Sequence, residues 1–153
     1  TDLQWHFIGP IQSNKTKQIA SHFSWVHSVD RAKLISRLND HRSVQDTPLN
    51  VCLQVNISGE ISKSGVLPHE LPALLEFIET CEHLCLRGLM AIPEKNASQA
   101  SFMQMQQLFL TLKVQYPTMD TLSMGMSADL EAAIAEGATH VRVGTDIFGA
   151  RYN

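Results

Sequence analysis

The sequence predicts an α/β fold in which a parallel sheet is covered by helices, and a (β/α) barrel is the form that fits it best. Three observations carry this. Short β-like runs alternate with helical patterns six times in succession. Hydrophobic residues make up 44% and charged residues 18% of the 153 residues, enough apolar material for one domain with its own core. No internal repeat, low-complexity tract or linker interrupts the series. Strict alternation of this kind implies parallel strands joined by crossover helices.

The elements follow in order. Residues 4–9 (QWHFIG) form the first strand run, and 11–23 a helix starting near Gln12 or Ser13. Residues 25–29 (WVHSV) are the second strand, with Asp30 placed to cap a helix whose face is Leu34, Ile35 and Leu38. Residues 50–56 (NVCLQVN) are the most β-like run. A polar loop follows, then a helix with Leu71, Leu74, Leu75 and Ile78 on one face and Pro68 near its start. Residues 85–91 (CLRGLMA) are the fourth strand. Phe102, Met105, Phe109 and Leu112 mark a helix of core type, ending before Tyr116-Pro117. Residues 121–124 are a fifth strand, and 128–136 a helix capped by Ser127 and closed by Gly137. Residues 139–143 (THVRV) are the sixth strand, with a short helical piece over 146–149.

A doubly wound open sheet is the competing architecture. It usually carries a glycine-rich loop after its first strand, and Gly9-Pro10-Ile11 is a poor match. A barrel needs eight units and about 250 residues, so six units predict two open sheet edges. The chain opens on Thr1 and reaches an aromatic strand run within five residues. The expectation is therefore a single partial barrel over 1–153 that lacks its first two strands.

Composition narrows the function. A formal net charge of -3 argues against a general nucleic-acid binder, and no apolar run reaches membrane-spanning length. Cys52, Cys81 and Cys85 are odd in number and contain no C-x-x-C pair, so neither a disulfide nor a zinc framework is expected. The seven histidines show no metal-ligand spacing. A cytoplasmic protein is expected, in which the N-x-S sequons at Asn56 and Asn96 carry no sugar.

The strongest local signal lies at the last two strand ends. Ser123-Met-Gly-Met-Ser127 places Gly125 between a strand and a helix start, with a hydroxyl on each side. One unit later Arg142-Val-Gly-Thr145 repeats the arrangement with Gly144 and Thr145. Glycine lets backbone N–H groups approach an anion, and the helix start adds its dipole. One such loop is an ordinary capped turn. Two in successive units match the phosphate site that barrels build after strands 7 and 8, which makes these the seventh and eighth strands of the expected barrel.

The chain resembles the pyridoxal phosphate homeostasis protein family, whose barrel is that of the alanine racemase N-terminal domain (fold type III). The resemblance runs through His6-Phe-Ile-Gly9 with Gln12-Ser-Asn-Lys15, Val26-His-Ser-Val-Asp30, Gln54-Val-Asn56 with Gly59-Glu60 and Lys63-Ser-Gly65, Arg87-Gly-Leu-Met90 with Ile92-Pro93, Ser123 to Ser127 with Asp129, and Arg142 to Thr145 with Ile147-Phe-Gly149. It implies a pyridoxal 5′-phosphate (PLP) cofactor in the barrel mouth, with Ser123, Gly125, Ser127, Gly144 and Thr145 about its phosphate and Arg142 facing the pyridine nitrogen. A cation there weakens the ring as an electron sink, which suits carriage or proton transfer better than transamination. Met90 packs against the ring or fills the barrel. Ser13 and Asn14 line the mouth or cap a helix. Asn56, Glu60, Lys63 and Gly65 form a loop that gates the site or is merely solvated.

The sequence departs from the family in two respects. A Gly-Glu-Asn-like motif that faces the site in the family has no match. Neither has the cofactor lysine that forms a Schiff base with the aldehyde, in a Ser-Lys-Thr-Lys-like context on the family's first strand. Lys15, Lys17, Lys33, Lys63, Lys95 and Lys113 all lie elsewhere. No catalytic residue is therefore nominated, and PLP is expected to bind this segment reversibly, a covalent aldimine being possible only in a longer parent. The reading is a PLP carrier serving cofactor homeostasis, with PLP-dependent apo-enzymes as candidate partners and neither nucleic acid nor membrane among them. The alternatives are a PLP-dependent racemase-like enzyme and a barrel enzyme acting on a phosphorylated metabolite. The first lacks a tyrosine at a strand end, since Tyr116 and Tyr152 are the only two. The second lacks paired carboxylates at strand ends.

Overall fold

The computed structural model describes residues 2–94 and 98–150. Thr1, Lys95, the sequon at Asn96 and Tyr152 lie outside them. Six parallel strands, β1 (His6–Phe7), β2 (Trp25–Val29), β3 (Leu49–Gln54), β4 (Leu84–Met90), β5 (Thr121–Met126) and β6 (His140–Arg142), lie in the order in which they occur along the chain. The helices are α1 (Thr16–His22), α2 (Ala32–His41), α3 (Leu71–Glu79), α4 (Ser98–Gln115), α5 (Leu130–Ala135) and α6 (Thr145–Phe148), with 3-10 turns at Ser13–Lys15 and Pro68–Glu70. Consecutive order and parallel pairing are the βα repeat that the alternation predicts.

The sheet is curled into a half-barrel. β1 and β6 are its two edges, yet the rings of His6 and His140 lie 5.8 Å apart between centroids. A flat six-stranded sheet would hold its edges roughly 24 Å apart at the usual strand spacing. Curling gives each strand two environments. Val26, Val51, Leu53, Leu89 and Leu122 face outward into the main core, against Ile19, Leu34, Leu38, Leu75, Phe102 and Met105 of the helices. Each such side chain contributes about 1.5–3 kcal/mol by leaving water. The concave side is different. Trp25, Cys52 and Met90 form a small apolar cluster of their own, surrounded by histidine, serine and arginine.

Two helix starts differ from expectation. Asp30 does not cap α2. The backbone stays extended through Arg31 (φ -157°, ψ 151°), which is the residue preceding the helix, so the Asp30 carboxylate lies too early to reach the first turn. It accepts instead from Arg31 Nη1 at 2.8 Å and from the Gly65 N–H at 3.3 Å. Ser127 does not cap α5 either. That helix begins at Leu130 after Asp129, whose Oδ1 accepts the Met126 N–H at 2.8 Å. The Ser127 hydroxyl accepts the Asp146 N–H at 3.4 Å, linking the last two loops.

Candidate functional site

Inside the trough a chain of polar side chains crosses from β1 to β6. His6 Nδ1 lies 2.9 Å from His27 Nε2, and His27 Nδ1 lies 2.8 Å from Ser123 Oγ. Arg142 donates from Nη1 to the same Ser123 oxygen at 2.7 Å and from Nη2 to the Ala91 carbonyl at 2.9 Å. Strand period explains the gathering. β2 turns Trp25 and His27 to the concave face, and the pairing of β5 with β6 sets Ser123 beside His140 and Met126 beside Arg142. His6 stacks on Trp25 with centroids 5.0 Å apart, and the Arg87 guanidinium lies over the Trp25 ring, 4.5 Å from its centroid. Arg87 is itself fixed by Asp120 and by the side-chain amide oxygen Oδ1 of Asn50, which accepts from Nη1 at 2.8 Å, and the guanidinium holds the Asp120 carboxyl below its usual range.

Burial disfavours the charged form of the histidines here. Burial pushes His27 down to about 3, helped by the nearby His6, His140 and Arg142. His6 is lowered by burial and by His140, and His140 by burial. Desolvation also lowers Arg142 from its ordinary value, although a guanidinium stays charged.

The residues singled out from the sequence fall into separate surroundings. Ser123 is fully buried within this network, and Met90 is fully buried in the small cluster with Trp25 and Cys52, where it fills the trough. Arg142 is half-buried. A Cβ placed on Gly125 (φ 95°) would lie 2.5 Å from Ala133 Cβ, so this glycine lets β5 and α5 touch. A Cβ on Gly144 would meet nothing within 4 Å. Ser127, just after β5, is half-buried and Thr145, just after β6, is exposed. Beside them stand Asp129, Glu131 and Asp146, which line a shallow depression with Ser127. Cys52 is buried and its thiol is pushed well above its usual range by desolvation, so it is inert packing. Among the described residues no group of three or more His, Cys, Asp or Glu is arranged to hold a metal ion, and no helix is long and apolar enough to cross a membrane.

A second feature opens at the carboxyl ends of β1 to β4. A cavity of about 330 Å³ is lined by Ile8, Ile11 and Ile92, by Ser28 and Gln54, and by Asp30, Arg31 and Lys63 at the rim. The loop over it is folded by Asn56, which donates to the Glu60 carbonyl at 2.7 Å and accepts from the Gly59 N–H at 3.1 Å. Lys63 lies 3.9 Å from Glu60. Ser13 and Asn14 sit in the 3-10 turn before α1, away from this cavity's lining.

Sequence reading missed the polar chain. It put His6, His27 and His140 in or beside strands without joining them. The available signal was strand parity: polar residues in strands buried on both faces must find partners across the trough.

Comparison with known proteins gives a consistent picture. A family model described as alanine racemase, N-terminal domain, matches residues 2–152. The chain is 60% identical over 153 residues to the pyridoxal phosphate homeostasis protein of Pseudomonas aeruginosa, covering 97% of this chain and 65% of the relative. It is 52% identical to the protein of that name from Escherichia coli K12, covering 99% and 66%. The chain thus spans just under two thirds of these relatives' length. The structure of PipY from Synechococcus elongatus with PLP bound superposes with a TM-score of 0.85 at 37% identity, over 97% of this chain and 72% of that one. Alanine racemase from Clostridium difficile shares the fold, with a TM-score of 0.73 at 14% identity, over all of this chain and 41% of the racemase.

Proposed function

The chain belongs to the alanine racemase N-terminal domain family, and from that premise we propose that it supplies the phosphate and ring-nitrogen sides of a PLP site in a protein of cofactor homeostasis. The observation that carries this is Arg142: a half-buried guanidinium fixed at Nη1 and Nη2, two residues before a glycine with open space at its side-chain position. A planar cation beside an unobstructed backbone fits an anionic, nitrogen-bearing ring. PLP supplies an aldehyde and an electron-withdrawing pyridine when bound. The residues here bind and orient. The Gly144 backbone and the Thr145 and Ser127 hydroxyls hold the phosphate, Gly125 lets β5 and α5 close behind it, and Ser123 and Met90 pack beneath. Arg142 donates toward the ring nitrogen and so keeps that nitrogen unprotonated.

The same reading treats the half-barrel as six units of an eight-stranded fold type III barrel, forming a single domain over 1–153, because curled edges at β1 and β6 leave strand hydrogen-bonding groups to be paired. No lysine of this chain is assigned a covalent role. Buffering and delivery of PLP to apo-enzymes in the cytoplasm is the function that fits a ring-nitrogen cation, because that cation weakens the ring as an electron sink.

An absorption titration of the full-length protein with PLP tests this. A saturable shift of the PLP band is expected, and Arg142→Met should weaken binding about tenfold or more, the loss of a charge-assisted hydrogen bond. No spectral change, with tight binding of a phosphorylated sugar instead, would favour the metabolite-binding alternative.

A further inference from the structure

Ser123 heads the first candidate phosphate loop, yet its hydroxyl is fully buried and already shared by Arg142 and His27. We propose that Ser123 and His27 are positioning residues for Arg142, the chain His6–His27–Ser123 fixing the hydroxyl so that its lone pair holds the guanidinium toward the ring nitrogen, while the phosphate is left to Gly144, Thr145 and Ser127. The inference rests on the PLP reading above and gives Ser123 a different partner within it.

Counting donors and acceptors sets the direction of the chain. Arg142 only donates, so Ser123 Oγ accepts from it. If His27 Nδ1 carried a proton, the serine oxygen would accept a second time and its own hydrogen would be buried without an acceptor. The satisfied arrangement has Ser123 donating to an unprotonated His27 Nδ1, with the His27 hydrogen on Nε2 donating to His6 Nδ1. Neutral His27 is what burial beside His6, His140 and Arg142 favours. A phosphate reaching Ser123 Oγ would have to displace Arg142 or His27, whereas Thr145 stands exposed and Gly144 is unobstructed.

Two measurements on the full-length protein decide it. In the cofactor-free protein, nitrogen NMR of the histidine rings should show His27 as the neutral Nε2–H form, and Ser123→Ala should release the Arg142 side-chain signals. A proton on His27 Nδ1, or Arg142 signals unmoved by S123A, overturns the proposal whether or not PLP binds. In binding assays S123A should weaken PLP and unphosphorylated pyridoxal by the same factor, about tenfold, and leave competition by inorganic phosphate unchanged. His27→Asn, whose amide oxygen can still accept from Ser123, should retain most of the affinity, while His27→Phe should match S123A. Weaker competition by phosphate with pyridoxal unaffected would make Ser123 a phosphate ligand and sink the proposal. A wild-type protein that ignores both PLP and pyridoxal would instead refute the cofactor reading, and the ring measurement would still judge the chain.

Discussion

The loops after β5 and β6 look alike as sequence and are unlike as structure. Ser123-Met-Gly-Met-Ser127 and Arg142-Val-Gly-Thr145 each put a glycine between a polar strand residue and a hydroxyl. In the first, Gly125 adopts φ 95° and its missing side chain is the contact between β5 and Ala133 of α5. In the second, Gly144 has φ -124° and open space around it. The flanking residues are graded in the same direction: Ser123 is fully buried and Arg142 half-buried, and of the hydroxyl residues Ser127 is half-buried and Thr145 exposed. The same glycine position is thus filled by a neighbouring side chain in one loop and open in the other. A glycine can be required by a neighbour that is protein or by one that is ligand, and only the surroundings distinguish the two.

The sharpest way to break this comparison is to add one methyl group to each glycine. Gly125→Ala would press on Ala133 and hold an alanine at positive φ, which costs about 2–4 kcal/mol together. Gly144→Ala should stay within about 0.5 kcal/mol. Urea unfolding of both variants gives the difference directly, and equal losses would abolish the distinction between the loops.

Acid should separate the loops next. His27, bonded to the first loop through Ser123, is neutral in the folded chain to about pH 3 and near 6.5 when unfolded. Between these values the unfolded chain takes up a proton that the folded chain refuses, so stability is full above 6.5 and falls as the pH drops toward 3. The slope reaches about 1.4 kcal/mol per pH unit for this one group. His6 and His140, lowered in the same direction, steepen it. Denaturation midpoints measured from pH 7 to 4 should show the fall, and His27→Phe should flatten it. An unchanged slope in that variant would mean that His27 is not the proton acceptor.

Much of the fold was legible because hydrophobic period reports burial. The stripes Leu34-Ile35-Leu38 and Phe102-Met105-Phe109 predict helices that do pack on the convex face, and the six-fold alternation predicts the parallel order. The concave face was less legible. Its side chains come from strands far apart in sequence, His27 and Ser123 being 96 residues apart, and no local pattern encodes that meeting. Helix starts were misplaced for a simpler reason: Asp30 and Ser127 are capping residue types, but the backbone remains non-helical past each of them, through Arg31 and Asp129. Residue type singled out Ser123, Arg142 and Thr145 alike, but not that Ser123 is fully buried and Thr145 exposed, because burial depends on residues distant in the sequence.

The smallest expected effect is the most discriminating for the two hydroxyls that end these loops, Ser127 and Thr145. Ser127 contributes one long hydrogen bond, accepting the Asp146 N–H at 3.4 Å, so Ser127→Ala should change stability by less than about 0.5 kcal/mol. Thr145→Val should be comparably mild, because its side chain is exposed. If the phosphate sits at this end of the sheet, both substitutions nevertheless weaken PLP binding, each by about three- to tenfold for a lost hydroxyl donor, and both relieve competition by inorganic phosphate. Binding that falls while stability holds identifies a surface reserved for ligand. Binding and stability that are both unmoved would place the phosphate elsewhere, with the cavity bounded by Lys63 and Gln54 as the next position to probe.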